Sequence, residues 1–402
     1  MNLTEQALSY EMIQENKKVW STLLLDFPVA INNFYGDPLI QWENTCKRLN
    51  ILVEQKHTGP VGIITKSKIT DNRINDLVDF RNKGLNIVVL CSISELVDFE
   101  KAPHDYRYEN IRKLNTAGIP NIAYIRPMVP PYNTSPGTID HIISNLAKVH
   151  ADAVCLSGFR GDDELVNDMS PDDKLEWTMR VKLLSKDVYE RFKVGAEANN
   201  MHLFLRTACA VAYVLGLKSP FNPYYNSPNL CKCSELNCPL LSTCKRSTDV
   251  KDGSLEFLSF LGFDVEIQYK DGNELCYVEG DNRLGCLSCC TTCYNLKVPR
   301  LYVKNKDINL GTLTFIRFLT GMLTVQDNVR DFGDKDIGFV KLPNFPEIDD
   351  FVCLNTWAAY SQHGNKCFDC TYCIEKYYKG RDCNTTPLDL LNRIEKLLIL
   401  EL

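Results

Sequence analysis

At 402 residues, with 45% hydrophobic and 24% charged side chains, the chain has material for one large core or for two. Its net charge of -6 argues against a nucleic-acid or membrane surface as the general partner, and no run reaches the ~18 consecutive apolar residues of a membrane span. The outlier is 18 cysteines, which in a secreted chain would read as a disulfide framework; the start, MNLTEQA, has neither a basic nor an apolar signal region, so a reducing cytoplasm is expected.

Leu8, Met12, Ile13, Trp20 and Leu24 recur at roughly helical spacing and predict an amphipathic helix over residues 1–28. Strands and helices then alternate. Strands are predicted at 29–33, 62–65, 86–91, 121–125, 153–156 and 202–205, and helices at 41–55, 70–82, 106–116, 138–150 and, as one long element, 172–198. Gly118 suits a left-handed helix end. Short buried strands separated by helical crossovers make a parallel α/β sheet, doubly wound or curled into a whole or partial barrel. Beyond it, a helix at 254–262, a hairpin of 263–270 with 274–279 turning at 271–273, and a helix at 313–323 predict a small α+β module.

Each predicted strand runs into a polar or proline-bearing loop: NFYGDP at 33–38, TKS at 65–67, SIS at 92–94, RPM at 126–128, SGFR at 157–160 and RT at 206–207. In a parallel α/β sheet, ligands bind at the carboxyl ends of the strands. Taken singly, such serines and threonines are as well explained as caps of the next helix.

The colinear order of NFYGDPL at 33–39, IITKS at 63–67, VVLCSISEL at 88–96, YRYENIRKLNTAGI at 106–119 and IRPMVPPYN at 125–133 resembles the core of radical S-adenosylmethionine (radical SAM) enzymes, in particular their spore-photoproduct-lyase-like branch, over about residues 29–245. The resemblance implies a partial (β/α) barrel, TIM-barrel-like in its parallel strands. It implies that Gly36, Asp37 and Pro38 stand in the loop that meets the methionine amino group, that Ser92 and Ser94 stand where ribose hydroxyls are met, and that Arg126, Pro127, Leu156 and Ser157 flank the adenine. The family's usual Cys-x3-Cys-x2-Cys loop after the first strand is missing, since no cysteine precedes Cys46. A C-terminal strand at 350–355, a thiol loop at 367–373 and a helix at 387–402 are expected to replace it, docked beside the strand at 29–33.

Four cysteines, Cys46, Cys91, Cys155 and Cys209, lie in or beside apolar segments and read as core residues. The other fourteen fall between Cys231 and Cys383. Cys367, Cys370 and Cys373, with Cys383 ten positions on, have spacing suited to one metal centre, and the triplet fits an iron-sulfur cube better than a tetrahedral zinc. Cys231, Cys233, Cys238 and Cys244 suit a cluster, with zinc or a structural loop together an equal alternative. In the run Cys286, Cys289, Cys290, Cys293, adjacent thiols point apart, so one of Cys289 and Cys290 joins the outer two.

The expected organisation is a barrel over 1–206, a cysteine-rich connector over 207–250 and a cysteine-rich module over 251–402. The expected function is an iron-sulfur enzyme of radical-SAM type, using a 4Fe-4S cluster held by Cys367, Cys370 and Cys373, S-adenosylmethionine, and an electron-donor protein. The alternative is a non-catalytic iron-sulfur or zinc protein, which a fourth thiol at Cys383 would favour by closing the cluster. No His-x3-His pair, phosphate loop or Gly-x-Ser-x-Gly elbow offers a rival chemistry.

Overall fold

A computed structural model describes residues 3–31, 37–100, 104–159, 163–169, 172, 184–205, 207–217, 238–240, 242, 250–268, 300–306, 308, 310–325, 342–346 and 386–400. Six parallel strands, β1 (Val29–Ile31), β2 (Pro60–Thr65), β3 (Asn86–Ile93), β4 (Asn121–Met128), β5 (Ala153–Gly158) and β6 (His202–Phe204), lie in the sheet in their sequence order. The parallel α/β sheet expected from sequence is therefore present. Its order also decides between the two windings. A doubly wound sheet reverses direction at a switch point, whereas here every strand pairs with its predecessor, and right-handed crossovers then place all the connecting helices on one face. That order is consistent with a partial barrel.

The connecting helices are α2 (Trp42–Glu54), α3 (Asp71–Asn82), α4 (Asp105–Thr116), α5 (Pro136–Lys148), α6 (Asp163–Met169) and α7 (Lys186–Ala198). Their apolar stripes meet one face of the strands: Ile63, Val89, Ile125, Val154 and Leu156 with Leu49, Leu77, Leu114, Ile142 and Phe192. Local signals start these helices. Thr70, Ser135 and Ser185 are extended N-caps whose hydroxyls accept from Arg73, Thr138 and Val188 N-H, and Pro136 occupies the first turn of α5. The cap at Ser185 corrects one expectation. The predicted helix over 172–198 is interrupted there, because an extended Ser185 (ψ 152°) is incompatible with a helix running through it.

The strands' other face is also buried. Val88, Leu90, Ile122, Tyr124, Ala153, Cys155 and Phe204 pack against Cys209, Ala210 and Val211 of α8 (Thr207–Val214), an element absent from the sequence expectations. The helix turns back from the end of β6, and the Tyr213 hydroxyl donates to Asp152 (3.0 Å) just before β5. Alanines at 208, 210 and 212 let it lie close on the strands.

A second core joins the two ends of the chain. Helix α1 (Leu3–Leu25) packs with α9 (Ser254–Phe260), α10 (Leu310–Thr320) and α11 (Pro387–Leu400), beside a sheet of β7 (Val265–Gln268), β8 (Arg300–Val303) and β9 (Leu323–Val325). Trp20 stacks on Phe257 and Phe260, both at 4.9 Å between centroids. Strand β7 pairs antiparallel with β8, a segment not foreseen; its expected partner at 274–279 lies outside the described residues. The predicted helix at 313–323 stops at Thr320, because Gly321 (φ +74°) turns the chain into β9.

The cores meet below β1 and β2. Thr58 and Gly59 N-H both donate to Leu25 O (3.0 Å), Lys251 pairs with Asp26 (2.7 Å), and Gln55 donates to Asp389 (3.0 Å). A Cβ at Gly59 would stand 2.5 Å from the Asp26 and Phe27 carbonyl oxygens, so only glycine permits this approach. No described helix is long and apolar enough to cross a membrane.

Candidate active site at the carboxyl rim

Strand alternation fixes which side chains face inward. Residues 88, 90, 122, 124, 153, 155 and 204 face α8, so Ser92, Arg126 and Ser157 continue the same face of β3, β4 and β5 toward the carboxyl rim. Ser92 pairs in register with Tyr124, and its hydroxyl donates to Arg126 O (3.1 Å). The Arg126 guanidinium lies over the Tyr124 ring, 5.6 Å from its centroid. Beyond it the β4–β5 register shifts between Ile125 and Met128. The Ser157 hydroxyl makes a long bond to Gly158 O (3.4 Å). Helix α8 fills the deeper rows of this face, so the polar row stands above an apolar floor.

Ser92 is 3% exposed, and Asp37 and Ser94 are likewise bonded within the rim. The Asp37 carboxylate accepts from Leu39 N (2.9 Å), Lys66 N (2.5 Å), Ser67 N (3.0 Å) and the Thr65 hydroxyl (2.8 Å). It thus ties the loop after β1 to the end of β2. Pro38 O accepts from Thr45 (2.7 Å), which anchors the same loop to α2. Fully buried Ser94 accepts from the Arg107 guanidinium (3.0 Å), and Asn133 holds its carbonyl. Both side chains shape the rim rather than line the mouth. Gly36 lies outside the described residues.

A charged network supports the loops after β2 and β3. Arg107, 1% exposed, donates to Glu100 (2.6 Å), which also pairs with Lys66. Burial pushes the Glu100 carboxyl up, but the bonds and charge of Lys66, with the bonds of Arg107 and Ser94, outweigh it and hold it below the ordinary range. His104 stands 3.9 Å from Glu100, and burial and the Arg107 charge push its pKa down. Glu95 adopts φ +51°, and Tyr108 donates to its carboxylate at 2.6 Å, which holds this left-handed turn. Sequence reasoning missed Lys66, Glu100, His104, Arg107 and Tyr108. Their signal was spread over two loops and a helix start, with no fixed spacing to find it by.

The early cysteines are core thiols: Cys91, Cys155 and Cys209 are buried and Cys46 is partly so. Burial raises Cys91 to about 12 and Cys46 to about 11, and neither is a ready ligand or nucleophile. Half-buried Cys238 packs against the inward-face cluster containing Cys155 and Cys209. No group of three or more His, Cys, Asp or Glu side chains able to hold a metal occurs among the described residues. Cys231, Cys233, Cys244, Cys286, Cys289, Cys293, Cys367, Cys370, Cys373 and Cys383, and the expected strand at 350–355, lie outside them.

No protein-family profile and no curated protein matches this chain. A solved structure with some likeness is a domain of a pyruvate-formate lyase-activating enzyme from Bacteroides vulgatus. It is 14% identical, covers 45% of this chain and 99% of its own, and superposes with a TM-score of 0.32. A score that low assigns neither family nor activity.

Proposed function

We propose that the chain is an iron-sulfur enzyme of radical-SAM type, acting at the carboxyl rim of the six-stranded sheet. The observation that carries the reading is the row Ser92, Arg126 and Ser157 on the inward face of three successive strands. In the described part of the site, the Ser157 hydroxyl and the cation over an aromatic ring fit a nucleoside-like ligand; Asp37, Ser92 and Ser94, already bonded within the rim, support the strand ends and loops around it. The colinear sequence resemblance and the thiol triplet Cys367, Cys370 and Cys373 support the same reading.

When bound, a cluster with one open iron and S-adenosylmethionine supplies one-electron chemistry. The chain's own residues do the rest. Ser157 offers a hydroxyl to an adenine edge, Arg126 presents its guanidinium from above the Tyr124 ring, buried Ser92 fixes the Arg126 backbone by donating to its carbonyl, and Asp37 fixes the loop after β1. Helix α8 closes the inward face below and excludes water from that side. A fourth thiol, Cys383, favours a second reading, in which four cysteines close the cluster and the protein carries electrons or serves as a sensor or scaffold.

Anaerobic reconstitution of the full chain with iron and sulfide, followed by electron paramagnetic resonance with and without S-adenosylmethionine, separates the two. The proposal expects a reduced-cluster signal that changes when S-adenosylmethionine is added and is lost in Cys370→Ala. A signal indifferent to S-adenosylmethionine supports the closed cluster, and zinc without iron in anaerobically purified protein contradicts both iron-sulfur readings.

A further inference from the structure

The loops after β3, β4 and β5 are welded at the rim by an apolar cluster distinct from the main cores. Leu96, Val129 and Val166 are buried there, with Phe159 and Met169 packed against them. Beside this cluster the rings of Phe99 and Tyr132 stand edge to face, 4.7 Å between centroids, yet remain 52% and 42% exposed, and Val97 is 66% exposed. The Tyr132 hydroxyl donates to Met169 O (3.1 Å), so its ring is fixed before anything binds.

Exposed carboxylates stand on the same elements: Asp98 next to Phe99, and Glu164 and Asp168 on α6, whose Met169 carbonyl the Tyr132 hydroxyl meets. None has a hydrogen-bond or ion-pair partner among the described residues. On the inner side of the same loops the acids are partnered, Glu95 by Tyr108 and Glu100 by Lys66 and Arg107. Ordered aromatic anchors, exposed apolar surface and carboxylates without a partner among the described residues together define complementary chemistry. Apolar or aromatic side chains would cover the rings, while lysine or arginine would meet the carboxylates and the ring faces. A polyanion would be repelled by the same charges and by the chain's net charge of -6.

We propose that this rim surface docks a basic polypeptide segment presenting an aromatic or apolar side chain beside lysine or arginine. The surface stands independently of the chemistry in the mouth. The test is fluorescence anisotropy of a labelled Lys-Phe-Gly repeat peptide with the full chain. Saturable binding is expected, weakened about tenfold by Phe99→Ala and by Tyr132→Ala. The paired substitution Asp98→Asn with Asp168→Asn is expected to reduce both affinity and its salt dependence. Because these side chains are exposed, the variants should melt as the parent does. No saturable binding, equal affinity for a Lys-Ala-Gly repeat, or indifference to Phe99→Ala overturns the proposal. Tighter binding of oligothymidylate, or a self-association abolished by Phe99→Ala, would also overturn it by assigning the surface to nucleic acid or to a second copy.

Discussion

The parallel sheet is assembled from sequence neighbours, each strand beside the one before it, whereas the second core closes only when the first helix meets the last. The sheet can grow one βα unit at a time. The second core must bring α1 against α11 across most of the chain, an ordering that pays loop-closure entropy before packing rewards it. The polar rim belongs to the first region and the join between the ends to the second.

Trp20→Ala should break the comparison most sharply, because it removes the ring stacked on Phe257 and Phe260. A loss of about 3–5 kcal/mol is expected. Amide-exchange protection should fall first in α1, α9, α10 and α11 while β3 and β4 stay protected; uniform loss would show one cooperative unit.

Acid should act on the seam between the regions. His57 is buried, bonds to the Phe27 backbone, and is lowered by burial from 6.5 to about 4. Between those values the unfolded chain takes up a proton that the folded chain refuses. Stability is therefore full above pH 6.5 and falls as pH drops toward 4, by about 3 kcal/mol. Denaturant midpoints across that window should drop more in the parent than in His57→Gln; parallel slopes would remove His57 from the account.

Much of the first region was legible. Apolar runs such as IVVLC in β3 read as strands because a parallel sheet buries both faces, whereas the start of α5 was read at 138 and its cap, Ser135, went unread. The short helix α8 escaped because its run of small apolar residues, TACAVAYV, has no polar face from which to read a helical period. For the second core, α1 was read from periodicity and α11 as the helix after the thiol loop, but not as partners, since pairing across the chain leaves no local trace. At the rim, strand ends located Ser92, Arg126 and Ser157. They gave no warning that Asp37, Ser92 and Ser94 are already bonded, because hydrogen-bond partners from other loops and strands are invisible in a linear spacing.

Smaller effects sharpen the same contrast. Gly59→Ala forces a Cβ against two carbonyl oxygens where the regions touch, and about 1–3 kcal/mol should be lost, measured by chemical denaturation. An unchanged midpoint would mean the seam yields freely. Ser185→Ala removes the cap of α7 and should cost about 1 kcal/mol, seen as earlier exchange in the first turn of that helix. No change there would show that packing alone begins α7.

The most direct test of the rim as a cofactor site is equilibrium binding of S-adenosylmethionine to the anaerobically reconstituted chain, compared between the parent and Arg126→Ala. Saturable binding by the parent is expected, weakened about tenfold in Arg126→Ala with cluster content unchanged. Absence of binding to the parent, or equal affinity in the variant, would contradict it.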